Sequence, residues 1–372
     1  MKEACFAASK KAPVANPPQF VVIASDDNTI AEGIRWISGV IDKSTNADGS
    51  KKYMSFYTNT DQEGFNWETT GELADAIYDV YKSGHEVGNH MSTHLYCVEI
   101  GEIDTNGVDT GKRVSKEEIY AEIKRVEGLL SAKGIPKEHQ FGFRTPYLRY
   151  SDSTFRALTE VGFLYDHSIC AASDNAAGDN FWPYTLDIIP GKQELDENGN
   201  LPPDNNAKVN PWGKTSPVGE YKGLWELPVL NFAVPPHDVD SVANALRKNY
   251  GKNYTFNGFV EGLDWNLWAD AEMDSRQTVD TLMYALQKSL AGNRAPFTVG
   301  LHSQFYFEPK ESDFPRILPQ ERREAVIEFI GQASRLKDVF FVSADMVIRW
   351  MQNPVSVTEF KPENYFRANS GN

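Results

Sequence analysis

The sequence predicts an α/β fold, because short apolar runs alternate with amphipathic stretches along most of the chain. Its 372 residues exceed the usual length of a single domain, but α/β barrels with inserted loops reach this size. Hydrophobic residues make up 41% of the chain and charged residues 24%, which is the composition of a globular protein with a sizeable core. We therefore expect one large domain.

Strands are predicted where β-branched and aromatic residues cluster, at 19–24, 53–57, 141–143, 163–169, 224–229, 297–302 and 339–342. Helices are predicted between them at 30–41, 69–83, 115–133, 152–161, 239–249, 275–291, 319–334 and 343–352. Two of these helices begin with a predicted capping box, formed by Thr69 with Glu72 and by Ser115 with Glu118.

Three stretches interrupt this alternation. Residues 98–114 and 190–222 are rich in Gly, Pro, Asn and Asp and are predicted to be long surface loops. Residues 253–268 place aromatic residues among turn residues, which is typical of a lid or a substrate cleft. The predicted organisation is a linker at 1–18, one large domain at 19–354 and a tail at 355–372.

Charge and hydropathy exclude two classes of partner. The formal net charge is -15 and the pI is near 5.0, whereas nucleic-acid binding requires basic patches. No apolar run reaches the roughly 20 residues of a membrane-spanning helix. The N-terminus has no apolar core of a signal peptide, so the protein is either cytosolic or has lost its signal.

The cysteines Cys5, Cys97 and Cys170 match no zinc-ribbon spacing. One disulfide and one free thiol are compatible with this count, and the sequence does not determine the pairing.

The segment GHEVGNHMSTH (84–94) contains three of the seven histidines. His90 and His94 stand four residues apart, so on a helical turn both imidazoles could reach one ion. Such a pair is more often incidental or a packing pair, and a metal site requires a third ligand. His85 fits a turn that leads into a strand.

Further candidates follow other predicted strands. Asp26 and Asp27 come after the first strand, where one could bind a cation while the other accepts a proton; capping of the next helix is the alternative. Arg144 in GFRTPY could keep a neighbouring carboxylate ionised, or lie on the surface. His302 ends VGLH and could act in catalysis or be a core histidine with its hydrogen bonds satisfied.

The ordered motifs D-D, H-x-x-x-H, R-x-P-Y and L-x-H, each after a predicted strand, resemble those of the polysaccharide deacetylase family, carbohydrate esterase family four. Longer stretches, such as PQFVVIASDD, FRTPYLR, NRAPFTVGLH and DVFFVSADMVIRWMQNP, are similar in particular to insect-type chitin deacetylases. This resemblance extends roughly from Cys5 to Pro354. It implies a distorted (β/α) barrel of about seven strands.

The resemblance also implies roles for individual residues. A divalent metal, usually zinc but also cobalt, nickel or iron by ligand chemistry, would be bound by Asp27, His90 and His94. Asp26 would be the general base, oriented and tuned by Arg144. His302 would be the general acid.

Substrate contacts are implied in the same way. Leu301 would form a wall of the acetyl pocket, and the backbone N–H of Tyr147 would help to stabilise an oxyanion. The family's fourth motif supplies an Asp that orients the acid histidine and a Trp that lines the cleft. We assign these to Asp166 and Trp182, with Tyr184 nearby; core packing is the alternative for the two aromatic residues.

The implied function is metal-dependent removal of acetyl groups from N-acetylglucosamine units of chitin or chitooligosaccharides, with peptidoglycan as the alternative substrate. Ser25 stands where the family usually has Phe, and Met91 stands where it usually has Ser or Thr. These departures keep a glycan-binding homologue without turnover as an alternative. An esterase acting on acetylated xylan is another. Because such glycans lie outside the cytoplasm, an exported protein is expected. The segment around Cys5 is also similar to the cysteine-rich leaders of insect homologues, so a disulfide bond at Cys5 is an expectation.

Overall fold

The computed structural model of the protein describes residues 6, 8–62, 66–68, 71–97, 114–170, 179–186, 221–307 and 314–366. In these ranges the strands are β1 Gln19–Asp26, β2 Ser55–Thr58, β3 Glu86–Asn89, β4 Gly142–Phe143, β5 Tyr165–Asp166, β6 Tyr184–Thr185, β7 Trp225–Glu226, β8 Asn231–Ala233, β9 Phe259–Glu261, β10 Phe297–His302 and β11 Val339–Phe341. The helices are α1 Ala31–Asp42, α2 Gly71–Lys82, α3 Lys116–Lys133, α4 Asp152–Val161, α5 Val239–Tyr250, α6 Ser275–Ala291, α7 Pro319–Ala333 and α8 Ala344–Gln352.

One curled sheet organises the described part of the chain. Its parallel strands follow the order β10-β1-β2-β3-β4-β5-β7, with β6 antiparallel at the β7 edge and β11 paired with the start of β1. Helices connect the strands, as parallel pairing requires. The predicted α/β class and barrel-like sheet are confirmed.

A second, two-stranded sheet stands between the edges of the curled sheet. Strands β8 and β9 pair in an antiparallel manner. Just after β9, Leu263 forms a parallel bridge with Gly300, and Gly300 N–H donates to the Gly262 carbonyl at 2.8 Å. The segment that follows β9 is therefore attached to β10, next to the carboxyl end of the central strands.

Helix boundaries follow local chemistry. At the start of α3, the side chain of Ser115 accepts from Glu118 N–H and Glu118 accepts from Ser115 N–H, which confirms that predicted capping box. The helix ends where Gly134 adopts a left-handed conformation with φ of 104°. The predicted cap Thr69 lies outside the described residues.

The sequence prediction omits the short strands β6, β8 and β9, and it anticipates β3 only as the strand that follows the turn at His85. The predicted loop 253–268 is wrong in part, because it contains β9 and the beginning of a helical turn at Asn266–Asp270. Most of the predicted loops 98–114 and 190–222 lies outside the described residues.

Segments on both sides of the predicted domain pack against the sheet. Phe6 lies with its ring centroid 4.7 Å from that of Trp225, and Phe360 is buried against Phe20. Val357 N–H donates to the Asn16 carbonyl at 2.8 Å. The described parts of 1–18 and 355–372 are therefore integral to the core.

The buried thiols of Cys97 and Cys170 are both free, so these two cysteines do not pair with each other. Cys5 lies outside the described residues. Within the described ranges, no helix combines the length and the apolarity that crossing a bilayer requires.

Candidate active site

The carboxyl ends of the parallel strands meet at a single cavity of about 730 Å³. Parallel strands direct their carboxyl ends to one side of a sheet, which is where ligands bind in open α/β sheets. The cavity is lined by Asp26, Asp27, Gln62, His90, His94, Tyr96, Tyr147, Leu148, Arg149, Leu246, Tyr250, Tyr254, Phe259, Val260, Glu261, Leu263, Trp265, Asn266, Asp270, His302 and Phe305.

Three potential metal ligands converge in this cavity. Asp27, His90 and His94 each offer one ligand atom, and these atoms lie within 4.8 Å of one another. Asp27 Oδ1 is 2.9 Å from His94 Nε2 and 3.5 Å from His90 Nε2. The prediction of a helical turn is wrong, because His90 and His94 lie in the loop after β3, where His94 has φ of 58°.

The donor set fits a divalent cation. His90 Nδ1 lies 2.7 Å from the Arg144 carbonyl, so it donates there and leaves the Nε2 lone pair for an ion. Buried Asp27 Oδ1 faces the two imidazole Nε2 atoms and has no other hydrogen-bond partner among the described residues. Burial alone would raise the pKa of Asp27, but the charges and hydrogen bonds of His94 and His90 lower it well below its usual value. An ionised carboxylate and two imidazoles suit zinc and other transition metals alike.

The backbone is strained where the potential metal ligands come together. Asp27, Met91 and His94 have φ of 46°, 60° and 58°, in the left-handed region that non-glycine residues rarely occupy. Met91 N–H donates to Asn89 Oδ1 at 2.9 Å, which holds the loop at that turn. The hydroxyl missing at Met91 is present one residue later, where Ser92 Oγ lies 2.7 Å from Thr60 Oγ1.

The other departure from the family pattern, Ser25, is fully buried behind Asp26. Its hydroxyl donates to Asn28 Oδ1 at 2.7 Å, and Asn28 Nδ2 donates to the carbonyls of Ser25 and Tyr57. Both departures are therefore accommodated by local hydrogen bonds.

Asp26 forms a buried ion pair with Arg144. Arg144 Nη1 donates to Asp26 Oδ1 at 3.0 Å, and both side chains are almost completely buried. The opposite charge offsets the cost of burying the carboxylate. Asp26 Oδ2 lies 3.9 Å from His90 Nε2, on the side of the metal ligands.

His302 stands opposite Asp26 on the neighbouring strand β10, in register with it. Its Nδ1 lies 2.6 Å from Asp264 Oδ1, and its backbone N–H donates to Asp264 Oδ2 at 2.8 Å. Burial would lower the pKa of His302, but the charge and hydrogen bond of Asp264 outweigh burial and raise the pKa to about 9. The imidazole is therefore protonated at neutral pH.

The prediction that Asp166 orients His302 is wrong, because Asp264 occupies that position. Asp166 instead accepts from the backbone N–H and hydroxyl of Ser168. Ser168 Oγ in turn accepts from Thr145 N–H at 2.8 Å, so Asp166 supports the segment that carries Arg144.

Trp182 and Tyr184 do not line the cavity, which corrects the predicted substrate contacts. Trp182 is buried with its ring stacked on Trp350, 5.5 Å between centroids, and Tyr184 belongs to a separate hydrophobic cluster. The alternative of core packing accounts for both. Leu301 is also buried in the main hydrophobic cluster and is not among the cavity-lining residues. Tyr147 does line the cavity, and 44% of its surface is exposed.

Asp264 and Trp265 are the functional candidates that the sequence prediction missed. Trp265 lines the cavity with 37% of its surface exposed. The adjacent Asp and Trp in GLDWNLW are the two residue types of the fourth motif. Their place just after a short strand was the signal that could have identified them. The prediction of a loop over 253–268 concealed this signal.

Comparisons with known proteins agree with this fold. The family profile described as "Polysaccharide deacetylase" matches residues 52–165. The crystal structure of a polysaccharide deacetylase homologue from Mycobacterium smegmatis superposes with a TM-score of 0.50 at 14% identity, covering 96% of this chain and 99% of the other. The family model, the motifs and the fold together support the polysaccharide deacetylase family, carbohydrate esterase family four, as the family that this chain resembles.

Among curated proteins, the chain is similar to two insect relatives. It is 22% identical to "Chitin deacetylase 8" of Bombyx mori over 348 residues, which is 93% of this chain and 74% of the relative. It is 23% identical to "Chitin deacetylase 1" of Bombyx mori over 353 residues, which is 94% of this chain and 54% of the relative. The chain therefore spans about half the length of the second relative.

Proposed function

We propose that this protein is a metal-dependent N-deacetylase that releases acetate from N-acetylglucosamine units of a glycan. One observation carries the proposal: a carboxylate and a protonated imidazole flank the three potential metal ligands in one cavity. The carboxylate is Asp26 and the imidazole is His302, and the ligands are Asp27, His90 and His94. Amide hydrolysis needs a base for the attacking water and an acid for the leaving amine.

Each residue has a distinct task in this reaction. A divalent cation, when bound by Asp27, His90 and His94, would polarise the acetamide carbonyl and acidify water. Asp26 accepts the proton of the attacking water through the oxygen that Arg144 does not contact. His302 gives its proton to the sugar nitrogen, which is otherwise a poor leaving group. Asp264 holds the imidazole in place for this transfer.

Chitin or chitooligosaccharide is the proposed substrate, and the similarity to the insect chitin deacetylases supports it. Aromatic residues that line the cavity, among them Tyr96, Tyr147 and Trp265, can pack against sugar rings. Since such glycans lie outside the cytoplasm, we infer that the protein acts there.

Acetate release from chitooligosaccharides, peptidoglycan and acetylated xylan, each with and without chelator, tests the proposal. We expect release from chitooligosaccharides that chelator abolishes and added zinc restores. Release from peptidoglycan or xylan alone would reassign the substrate, and binding of glycan without any acetate would refute enzymatic activity.

The base assignment has its own test. Asp26→Asn should lower kcat by about 100-fold or more, since general-base catalysis contributes that much, and should still bind zinc. Undiminished turnover in this variant would refute the role of Asp26.

A further inference from the structure

His167 follows β5 directly and is fully buried beside the Arg144 guanidinium. The His167 backbone carbonyl accepts from Arg144 Nε at 3.0 Å. Its ring presents Nδ1 at 2.9 Å and Nε2 at 3.1 Å from Arg144 Nη2. One residue thus contacts two of the three guanidinium nitrogens, while Asp26 contacts the third.

The protonation state of this ring follows from its neighbour. A guanidinium only donates hydrogen bonds and stays charged in proteins, whereas an imidazolium has no lone pair to accept one. The His167 ring must therefore be neutral. Burial and the charge of Arg144 also hold the pKa of His167 well below its usual value.

Tyr57 fixes the ring from a third direction. Its hydroxyl lies 3.1 Å from His167 Nδ1 and 2.8 Å from the Tyr165 hydroxyl, which in turn lies 2.7 Å from Glu86 Oε1. The Tyr57 ring also lies 4.9 Å from the Arg144 guanidinium carbon, within cation–π range. A buried chain of side chains thus runs from Arg144 through the sheet interior.

We propose that His167 is a positioning residue, whose neutral ring accepts from Arg144 Nη2 and thereby confines the guanidinium to one oxygen of Asp26. This inference rests on the proposed function. Without the ring acceptor, Nη2 would lack a partner in a buried site, which is costly. The guanidinium would then turn toward the second Asp26 oxygen, which must stay available to take the proton.

The test compares His167→Phe, which keeps a ring but removes the acceptor, with His167→Asn, whose Oδ1 can take the place of Nδ1. On chitooligosaccharide, we expect kcat of H167F to fall roughly 10- to 100-fold, the usual cost of losing a supporting hydrogen bond at a reactive site, with KM unchanged. H167N should recover most of that loss. Both assays are run well below each variant's Tm, and zinc affinity measured by calorimetry should stay the same.

A merely structural role would lower Tm in both variants without rescue by Asn. Equal activity of H167F and H167N, or kcat of H167F within twofold of the native enzyme, would overturn the proposal. If H167F does not fold, H167A against H167N makes the same comparison, because Ala also lacks an acceptor.

The outcome is separable from that of the proposed function. If the native protein releases no acetate from any N-acetylglucosamine substrate, the proposed function fails. Crystal structures then decide on His167 alone: we expect the Arg144 contact with Asp26 to become bidentate or be lost in H167F and to be kept in H167N. An unmoved Arg144 in H167F would overturn the positioning role.

Discussion

Asp264 contacts His302 through both carboxylate oxygens, one 2.6 Å from the ring Nδ1 and the other 2.8 Å from the backbone nitrogen. Tyr306 also donates its hydroxyl to Asp264 Oδ2 at 3.3 Å. The carboxylate is almost fully buried, so its hydrogen bonds fix the direction in which the imidazole faces the cavity.

Asp264→Asn should lower the pKa of His302 from its value of about 9, because the negative charge that contributes most to raising the pKa is lost. His302 can donate a proton only while it is protonated, and its protonated fraction falls as pH rises through its pKa. We therefore expect the alkaline limb of the kcat profile to move toward neutral pH by about one pH unit or more. Measurement of kcat between pH 6 and 10 checks this.

Asp166→Asn is the matched control, since Asp166 contacts Ser168 and not His302. This variant should keep the alkaline limb where it is, even if it loses stability. A shift in D166N with none in D264N would reverse the two roles.

Zinc binding should depend on His94 and not on His237. His237, Asp238 and Asp280 also cluster, but His237 is exposed and Arg276 already contacts both carboxylates. Calorimetry should show that His94→Ala weakens zinc binding by more than roughly 100-fold, because a direct ligand is lost. His237→Ala should leave the affinity unchanged, and a comparable loss in both variants would contradict the assigned site.

Substitution of two tryptophans should distinguish a residue that binds substrate from a residue that stabilises the fold. Trp265→Ala should raise KM for chitooligosaccharide by about 3- to 10-fold, the effect of losing one aromatic contact. Trp182→Ala should instead lower the free energy of unfolding by about 3–5 kcal/mol, since its buried ring packs on Trp350. Denaturant melts and steady-state kinetics of both variants provide the comparison; a large KM effect confined to W182A would restore its predicted place in the cleft.

Two glycines of helix α1 should respond oppositely to alanine. A Cβ at Gly33 would lie 2.2 Å from the Ser303 carbonyl oxygen, beside His302, so G33A should destabilise the fold by about 1–3 kcal/mol and reduce kcat. Nothing lies within 4 Å of a Cβ at Gly39, so G39A should be neutral or stabilise by about 0.5–1 kcal/mol. Thermal melts measure both, and equal destabilisation would contradict the close approach at Gly33.

Elements with strong local signals were predictable from the sequence. The apolar run of β10 was predicted with its observed bounds, and α4 and α6 likewise match their predicted spans. Residues at the ends of the longest strands, Asp26 and His302, could be selected because their position after a strand is visible in the sequence.

Contacts made by short irregular segments were not predictable in this way. Asp264 follows a strand of only three residues, and its partner His302 is 38 residues away, so no periodicity links them. Trp182 is of the residue type that also lines sugar-binding clefts, so the sequence does not distinguish the two positions. Only its packing on Trp350 assigns it to the core. Left-handed turns at Asp27 and His94 bring ligands together without helical spacing, which a pattern based on i and i+4 does not represent.

The in-register pairing of Asp26 with His302 sets their separation by the width of one strand pair. Loops around the cavity can therefore lengthen, shorten or change in charge without altering the distance between proton acceptor and proton donor. Under the proposed function, changes in these loops would adapt the protein to a new polymer while the hydrolytic step stays the same.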